Sequence, residues 1–388
     1  MKLFFYSHFF PPSIGGVEVI VLSLARGLAE LCAPDGKPEF DVTLVTQTSR
    51  GNFDDSKLPF RVVRKPGLRT LATLVRESDV LHLAGPALAP LALGSAFGKP
   101  VVVEHHGFQA ICPNGLLLVE PTQSTCPGHF MAGHHKECFS CNSGLGTIGS
   151  LKLWLLTFVR RFLCQHASVN ITPTDWLEGQ LQLPRMETVH HGLEPYEFSS
   201  NLKPSQVGTP IIAYAGRLVT TKGIRILLQA VRLLREQGRT FELHVIGEGP
   251  ELPSLELAAS TPPLAGYVRI FGRLSSQDMN AVLSRARIVV VPSLAGEVFG
   301  LVVAENMQRG LPVVASDLGA FQELLGDTGI IFRTGDATDL AHRLSGIIND
   351  PERALLLGER ARSRIESEFN YAKMVNGHAE IYRSLFGT

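Results

Sequence analysis

The 388-residue chain predicts a parallel α/β architecture, two Rossmann-like units facing across a cleft. Three observations carry this expectation. Apolar strand-like runs alternate with amphipathic helix-like stretches almost throughout, the signature of βαβ units. The alternation breaks over 194–209, where Pro195, Pro204, Gly208 and the adjoining Pro210 read as a linker. Finally, glycines and charged residues recur just after strand-like runs, where open α/β sheets bind their ligands.

Taken in order, residues 2–6 read as the first strand. The loop Pro11-Pro12-Ser13-Ile14-Gly15-Gly16 and an amphipathic helix from Val17 to Leu31 follow. Strands near 41–46, 61–64, 79–83 and 100–104 come next, with helical stretches near 69–77 and 86–97. The region 107–145, rich in Gly, Pro, Cys and His, breaks the rhythm. A helix over Leu151 to Cys164, a strand at 167–172, a helix at 174–182 and a strand at 186–190 restore it. After the linker come a strand at 210–215, a helix at 222–237, a strand at 241–246 and a helix at 250–258. A strand at 267–271, a helix at 275–285, a strand at 287–291, a helix at 300–309 and a strand at 312–315 complete the series. Residues 336–386 read as largely helical. The expected domains are 1–195 and 196–370.

Lys+Arg and Asp+Glu each total 36, and the balance also holds within each half. No basic module is available to hold nucleic acid, so a phosphate-bearing partner must be held by a few placed residues. No run reaches the length of a membrane-spanning helix. The apolar start, Met1 to Tyr6, is broken by Ser7, His8, Pro11 and Pro12 before a signal-peptide core can form. A cytoplasmic, reducing location is expected, with the six cysteines as thiols or metal ligands.

The most informative stretch runs from Glu297 to Glu305. It follows the apolar run Ile288–Val291, closed by Pro292-Ser293, and enters a helix that stops at Gly310-Leu311-Pro312. Two carboxylates thus bracket a helix N-terminus at a strand's carboxyl end. The acids suit a polyhydroxylated ligand and the backbone N–H groups suit phosphate. Gly216-Arg217-Leu218 follows another strand, and Lys222-Gly223 opens the next helix. Arg217 offers a planar fork of donors and Lys222 a point charge, a pair suited to a departing diphosphate. Gly15-Gly16, Gly247-Glu248-Gly249-Pro250 and Phe271-Gly272-Arg273-Leu274 are further glycine-containing turns. None has the G-x-G-x-x-G dinucleotide spacing. His106-Gly107 follows the strand ending at Glu104, with His105 expected to point away.

In their order and spacing these motifs resemble the retaining glycosyltransferases of GT-B fold. The similarity is to the large fourth family, glycosyl transferases group 1, which includes bacterial mannosyl- and glucosyltransferases of polysaccharide biosynthesis. It spans nearly the whole chain. Phe369-Asn370-Tyr371 and the last helix, 371–388, are similar to the family's C-terminal segment, which packs back on the first domain. The resemblance implies that Glu297 holds the transferred sugar, and that Phe299, Gly300 and Leu301 give backbone contacts to sugar and phosphate. Glu305 would bind the ribose, and Arg217 and Lys222 the diphosphate. Gly16 would approach the diphosphate from the other domain. Gly247 would line the nucleotide pocket, Arg273 and Leu274 would face the base, and His106 would reach the donor sugar. It also implies catalysis without a metal cofactor; the chain has no Asp-x-Asp motif.

Two features lie outside that pattern. Cys112, Cys126, Cys138 and Cys141 crowd one loop, with Cys138-Phe139-Ser140-Cys141 as a C-x-x-C pair. A structural zinc and plain cytosolic thiols are both open readings; the cysteines after the His-Gly motif also resemble a subgroup of the family. The apolar segment Leu151 to Phe162, edged by Arg160 and Arg161, is read as buried against that loop. Docking at the inner face of a membrane is its alternative. The expected activity is transfer of a hexose-type sugar from a nucleotide diphosphate sugar to a glycan, lipid-linked or small-molecule acceptor. The alternatives are a nucleotide-sugar epimerase or hydrolase of the same fold, or a non-catalytic nucleotide-sugar-binding subunit.

Overall fold

A computed structural model describes residues 1–13, 15–195 and 208–386. The central part of the expected linker, 196–207, lies outside the described residues. The chain divides into two units. One comprises 1–117, 127–194 and 369–388, the other 118–126 and 195–368.

The first unit is built on a seven-stranded parallel sheet. Edge to edge it runs Arg61–Arg64, Asp41–Thr46, Lys2–Ser7, Val80–Ala84, Val101–Glu104, Val169–Thr172 and Met186–Thr188. The central strands are apolar on both faces because helices cover both, the usual state of a parallel sheet. Phe4, Phe5, Leu81, Leu83, Val102 and Val103 are fully buried. The helix Tyr371–Phe386, last in sequence, packs in this same unit. Tyr371 Oη donates to the Ser23 carbonyl at 3.1 Å, and Arg383 forks onto Glu39 at 2.7 and 2.8 Å. Gly27 permits the close approach, since a Cβ there would lie 2.4 Å from Val375 Cγ2.

The second unit carries a six-stranded parallel sheet in the order Val268–Ile270, Glu242–Ile246, Ile211–Ala215, Ile288–Val291, Val313–Ser316 and Ile330–Phe332. In chain order that is 3-2-1-4-5-6, so the direction of winding reverses between Ile211–Ala215 and Ile288–Val291. The crevice at such a switch point is where doubly wound sheets hold ligands. Its core is aliphatic and fully enclosed, around Leu227, Val231, Leu243, Val245, Ile288 and Leu344.

Several elements depart from the sequence reading. The Leu151–Cys164 helix is longer, Gly146–Gln165. The irregular region contains a short helix, His135–Cys141, and a strand pair, Leu118–Val119 with Ser124–Thr125. Helix Gly319–Leu325 and strand Ile330–Phe332 were not anticipated. The helical end resolves into Ala337–Ile348, Pro351–Glu368 and Tyr371–Phe386.

Candidate functional site

The two central strands of the second sheet deliver the two most informative sequence motifs. Gly216-Arg217-Leu218 leaves Ile211–Ala215, and the Ser293–Gly300 loop leaves Ile288–Val291. Leu294 N–H donates to the Thr221 carbonyl at 2.8 Å, tying the loops together. Gly223 sits at φ 67°, and a Cβ there would fall 1.8 Å from the Pro292 oxygen. No other residue lets these two loops come so close.

That contact brings Lys222 to Glu297. The Lys222 ammonium makes an ion-paired hydrogen bond to Glu297 Oε1, which also accepts from Ser293 Oγ at 2.8 Å. Both chains keep some exposure, 23% for Lys222 and 12% for Glu297, so the pair is set into the surface rather than sealed under it. Arg217 is exposed beside it, its carbonyl accepting from Tyr214 Oη at 2.9 Å.

Gly247 carries the neighbouring turn against Gly216. A Cβ at Gly247, φ 145°, would lie 1.9 Å from the Gly216 oxygen. Gly247 N–H donates to the Gly272 carbonyl at 2.8 Å, linking this turn to Arg273 and Leu274; Arg273 is exposed and Leu274 half-buried. Gly300, φ 101°, caps the helix Leu301–Gln308 without a side-chain cap of its own. Its N-terminal amides therefore suit an anion, by partial charge as well as by hydrogen bonding. Phe299 is buried and Leu301 half-buried. Glu305 lies one turn further on. Burial raises its carboxyl pKa, and Arg309, 3.7 Å away, pulls against that shift. The side chain still keeps 38% of its surface, so desolvation is incomplete.

In the first unit, Gly16 is exposed at the start of helix Gly16–Glu30. His106 follows the strand Val101–Glu104, its side chain only 6% exposed, with Nε2 3.2 Å from Glu104 Oε2. His105 is fully buried, Nε2 facing Asn170 Oδ1 at 3.0 Å. Sequence reasoning missed the group around Glu104, which also meets His82, His191 and His378. These side chains come from four segments, and nothing local announces their convergence. Two trios, His82-Glu104-His378 and Glu104-His106-His191, have ligand atoms within 4.8 Å and are of a size to surround a cation.

The four loop cysteines do not gather in this way among the described residues. Cys112 Sγ donates to Asn114 Oδ1 at 3.0 Å, and Asn114 Nδ2 to Cys141 Sγ at 3.2 Å. Cys126 groups with the second unit. The strand pair just before it braces the Glu297 loop, Thr125 Oγ1 donating to the Leu294 carbonyl at 2.9 Å.

The helix Gly146–Gln165 both buries and exposes apolar surface. Trp154 and Phe158 pack on Phe139, His135 and Phe130 of the cysteine loop. Ile148, Leu151, Leu155, Val159 and Phe162 fall on one helical stripe and face out, Ile148 at 86% and Phe162 at 59%. Burial against the loop therefore accounts for only one face. Among the described residues no helix is long and apolar enough to cross a membrane.

Residues 209–350 match the family model for glycosyl transferases group 1. An alpha-D-kanosaminyltransferase of Streptomyces kanamyceticus is 31% identical over 45% of this chain and 46% of its own length. The chain thus spans about half the length of this curated relative. A GDP-mannose-dependent monoacylated alpha-(1-6)-phosphatidylinositol monomannoside mannosyltransferase of Corynebacterium glutamicum is 25% identical over 94% of this chain and 93% of its own. Among solved structures, Anabaena HepE in complex with UDP-glucose superposes with a TM-score of 0.72, covering 99% of this chain and all of that one at 17% identity. At that identity the likeness speaks for the fold, which is GT-B.

Proposed function

We propose that this chain, a GT-B protein of the glycosyl transferases group 1, moves a sugar from a nucleotide diphosphate donor to an acceptor hydroxyl with retention at the sugar carbon. The observation that carries the reading is the Lys222–Glu297–Ser293 cluster at the switch point of the second sheet, one loop from the uncapped helix start at Gly300. A cation and free backbone amides are what a diphosphate needs, and a carboxylate set into the surface is what sugar hydroxyls need.

In this reading the diphosphate takes Lys222 from Glu297, with Arg217 as a second cation and the amides after Gly300 as a third group of donors. Freed of its partner, Glu297 accepts hydrogen bonds from the sugar. Glu305 accepts from the ribose hydroxyls, and Arg273-Leu274 lies beside the base. As the sugar–phosphate bond breaks, negative charge grows on the diphosphate, so Lys222 and Arg217 stabilise the transition state more than the ground state. The acceptor enters on the face the diphosphate leaves, and a diphosphate oxygen takes its proton. These fixed cations supply the charge that a metal would otherwise bring. His106 is assigned to a substrate hydroxyl.

The nucleotide-sugar partner is supported by the UDP-glucose held by HepE. A lipid-linked acceptor is supported by the outward apolar stripe of the Gly146–Gln165 helix, with Lys152 exposed alongside it. A panel of UDP, GDP, ADP and their sugars in thermal shift identifies the base, since a ligand stabilises according to its affinity. Product mass then separates the activities. Sugar appearing on an added acceptor supports transfer, whereas free or epimerised sugar at the same rate without acceptor replaces it with the hydrolase or epimerase reading. Tight nucleotide binding with no turnover on any acceptor replaces it with a binding subunit.

A further inference from the structure

The group around Glu104 assigns a second task to the first unit. Glu104 is fully buried, and four imidazole Nε2 atoms converge on its two oxygens. His82 and His106 face Oε2 at 3.1 and 3.2 Å; His191 and His378 face Oε1 at 3.1 and 3.5 Å. A carboxylate has about four lone-pair sites and no proton to give; His82 and His191 hydrogen-bond to it, one on each oxygen, and His106 Nε2 stands against Oε2 as well. A bare Nε2 on His82, His106 or His191 would set lone pair against carboxylate in a site closed to water.

The other ring nitrogens test this accounting. His82 Nδ1 lies 2.8 Å from Tyr382 Oη, which can donate to it, so His82 is complete as a neutral ring with its proton on Nε2. His378 Nδ1 lies 2.8 Å from the Met374 carbonyl, which only accepts. His378 therefore donates its Nδ1 proton to that carbonyl, and its Nε2 stands 3.5 Å from Glu104 Oε1. Nε2 of His106 and of His378 are both enclosed, with no partner in good hydrogen-bonding line; each has only Glu104 to face. His105 stands apart, its Nε2 paired with Asn170 Oδ1 and its Nδ1 buried without a partner.

We infer that Glu104 is a positioning residue for His106: it fixes the ring with its proton on Nε2 and leaves Nδ1 as a bare acceptor for a substrate hydroxyl. The inference rests on the assignment of His106 to a substrate hydroxyl, and it adds the direction of that bond. The hydroxyl donates and His106 accepts, so a substrate with the hydroxyl replaced by hydrogen loses the contact, and one with a pure acceptor there is repelled. Through Tyr382 and His378 the C-terminal helix holds the same carboxylate in place.

Long-range 1H–15N correlation spectra of the full chain with 15N-labelled histidine test this at neutral pH. The His106→Gln and His378→Gln variants assign the two rings. The expected result is His106 with Nε2 protonated and Nδ1 bare. Glu104→Gln, whose amide keeps a single accepting oxygen, should mix the two tautomers of His106 while circular dichroism stays native. A bare Nε2 on His106 in the wild-type chain overturns the inference. So does a His106 pattern that Glu104→Gln leaves unmoved, or one equivalent of tightly bound metal among the rings around Glu104. None of these readouts needs turnover, so failure of the transferase reading and failure of this one are distinguishable.

Discussion

Lys222 and Glu297 should respond in opposite directions when nucleotide binding is measured. Each is now the other's partner, and Ser293 holds the same Glu297 oxygen. A diphosphate arriving at Lys222 has to displace a carboxylate of its own sign. Lys222→Ala removes the cation. A hydrogen bond to a charged group is worth about 1.5–3 kcal/mol, so binding of the nucleoside diphosphate should weaken roughly 10- to 150-fold. Glu297→Gln keeps the shape and the acceptor for Ser293 but removes the competing charge. Binding of the same nucleotide should hold or tighten by several-fold. Turnover should fall in both, by roughly 10²–10³ for Lys222→Ala, the usual loss for one donor aimed at developing charge. Lys222 is 23% and Glu297 12% exposed, and neither belongs to the unit's hydrophobic core, so both variants should fold, which circular dichroism checks. Titration calorimetry with UDP, GDP and ADP, followed by product mass, reads both quantities. If Glu297→Gln weakens the nucleotide as much as Lys222→Ala does, the pair is only a structural brace and the proposed division of roles is wrong.

Other consequences can be checked separately. Gly247→Ala sets a Cβ against the Gly216 oxygen in a backbone conformation that side chains rarely adopt; urea unfolding should show a loss of roughly 2–4 kcal/mol. Glu305 has a raised carboxyl pKa, from burial first, with Arg309 opposing. An acid raised on folding binds protons more readily in the native state, so it disfavours the fold above its native pKa and relaxes as pH falls through it. Glu305→Gln should therefore raise Tm at neutral pH while weakening nucleotide-sugar binding; a lower Tm there contradicts the account. Burial holds the His82, His105 and His191 pKa values at about 4, from 6.5. These rings contribute stability that is fully present above about pH 6.5 and is lost as pH falls towards 4, because the unfolded chain takes up their protons first. Denaturant midpoints should drop steeply across that window, and a flat profile would mean that the rings are not enclosed. Leu155→Glu with Phe162→Glu should reduce co-sedimentation with anionic phosphatidylglycerol vesicles several-fold, whereas binding equal to wild type removes this helix as the anchor.

The sequence made the second unit's chemistry legible because its residues are near neighbours along the chain, at the ends of strands whose apolar runs are easy to see. Glu297, Gly300 and Glu305 fall within nine positions, and Gly216 to Lys222 within seven. Strand ends and helix starts are local facts, and the switch point turns two local facts into one site. What the sequence concealed was the pairing itself. Lys222 and Glu297 are 75 positions apart, and the glycine that brings them together, Gly223, looks like any helix-opening glycine until the Pro292 oxygen is seen against it.

The Glu104 group was hidden for a stronger reason. Its carboxylate sits at the end of an apolar strand, where a sequence reading sees an edge residue, and Tyr382 meets His82 across 300 positions. Each histidine, read alone, is more simply a structural one. Only the hydrogen-bond accounting separates them: His378 Nδ1 is taken by the Met374 carbonyl, whereas His106 faces Glu104 through Nε2. The chain's last helix therefore reaches the surroundings of a residue near its first hundred, through Tyr382 on His82 and His378 beside Glu104. Replacing His378 by Gln should then alter the tautomer of His106, although His378 touches Glu104 and not His106. A change confined to stability, with the His106 spectrum unmoved, would reduce the C-terminal helix to packing alone.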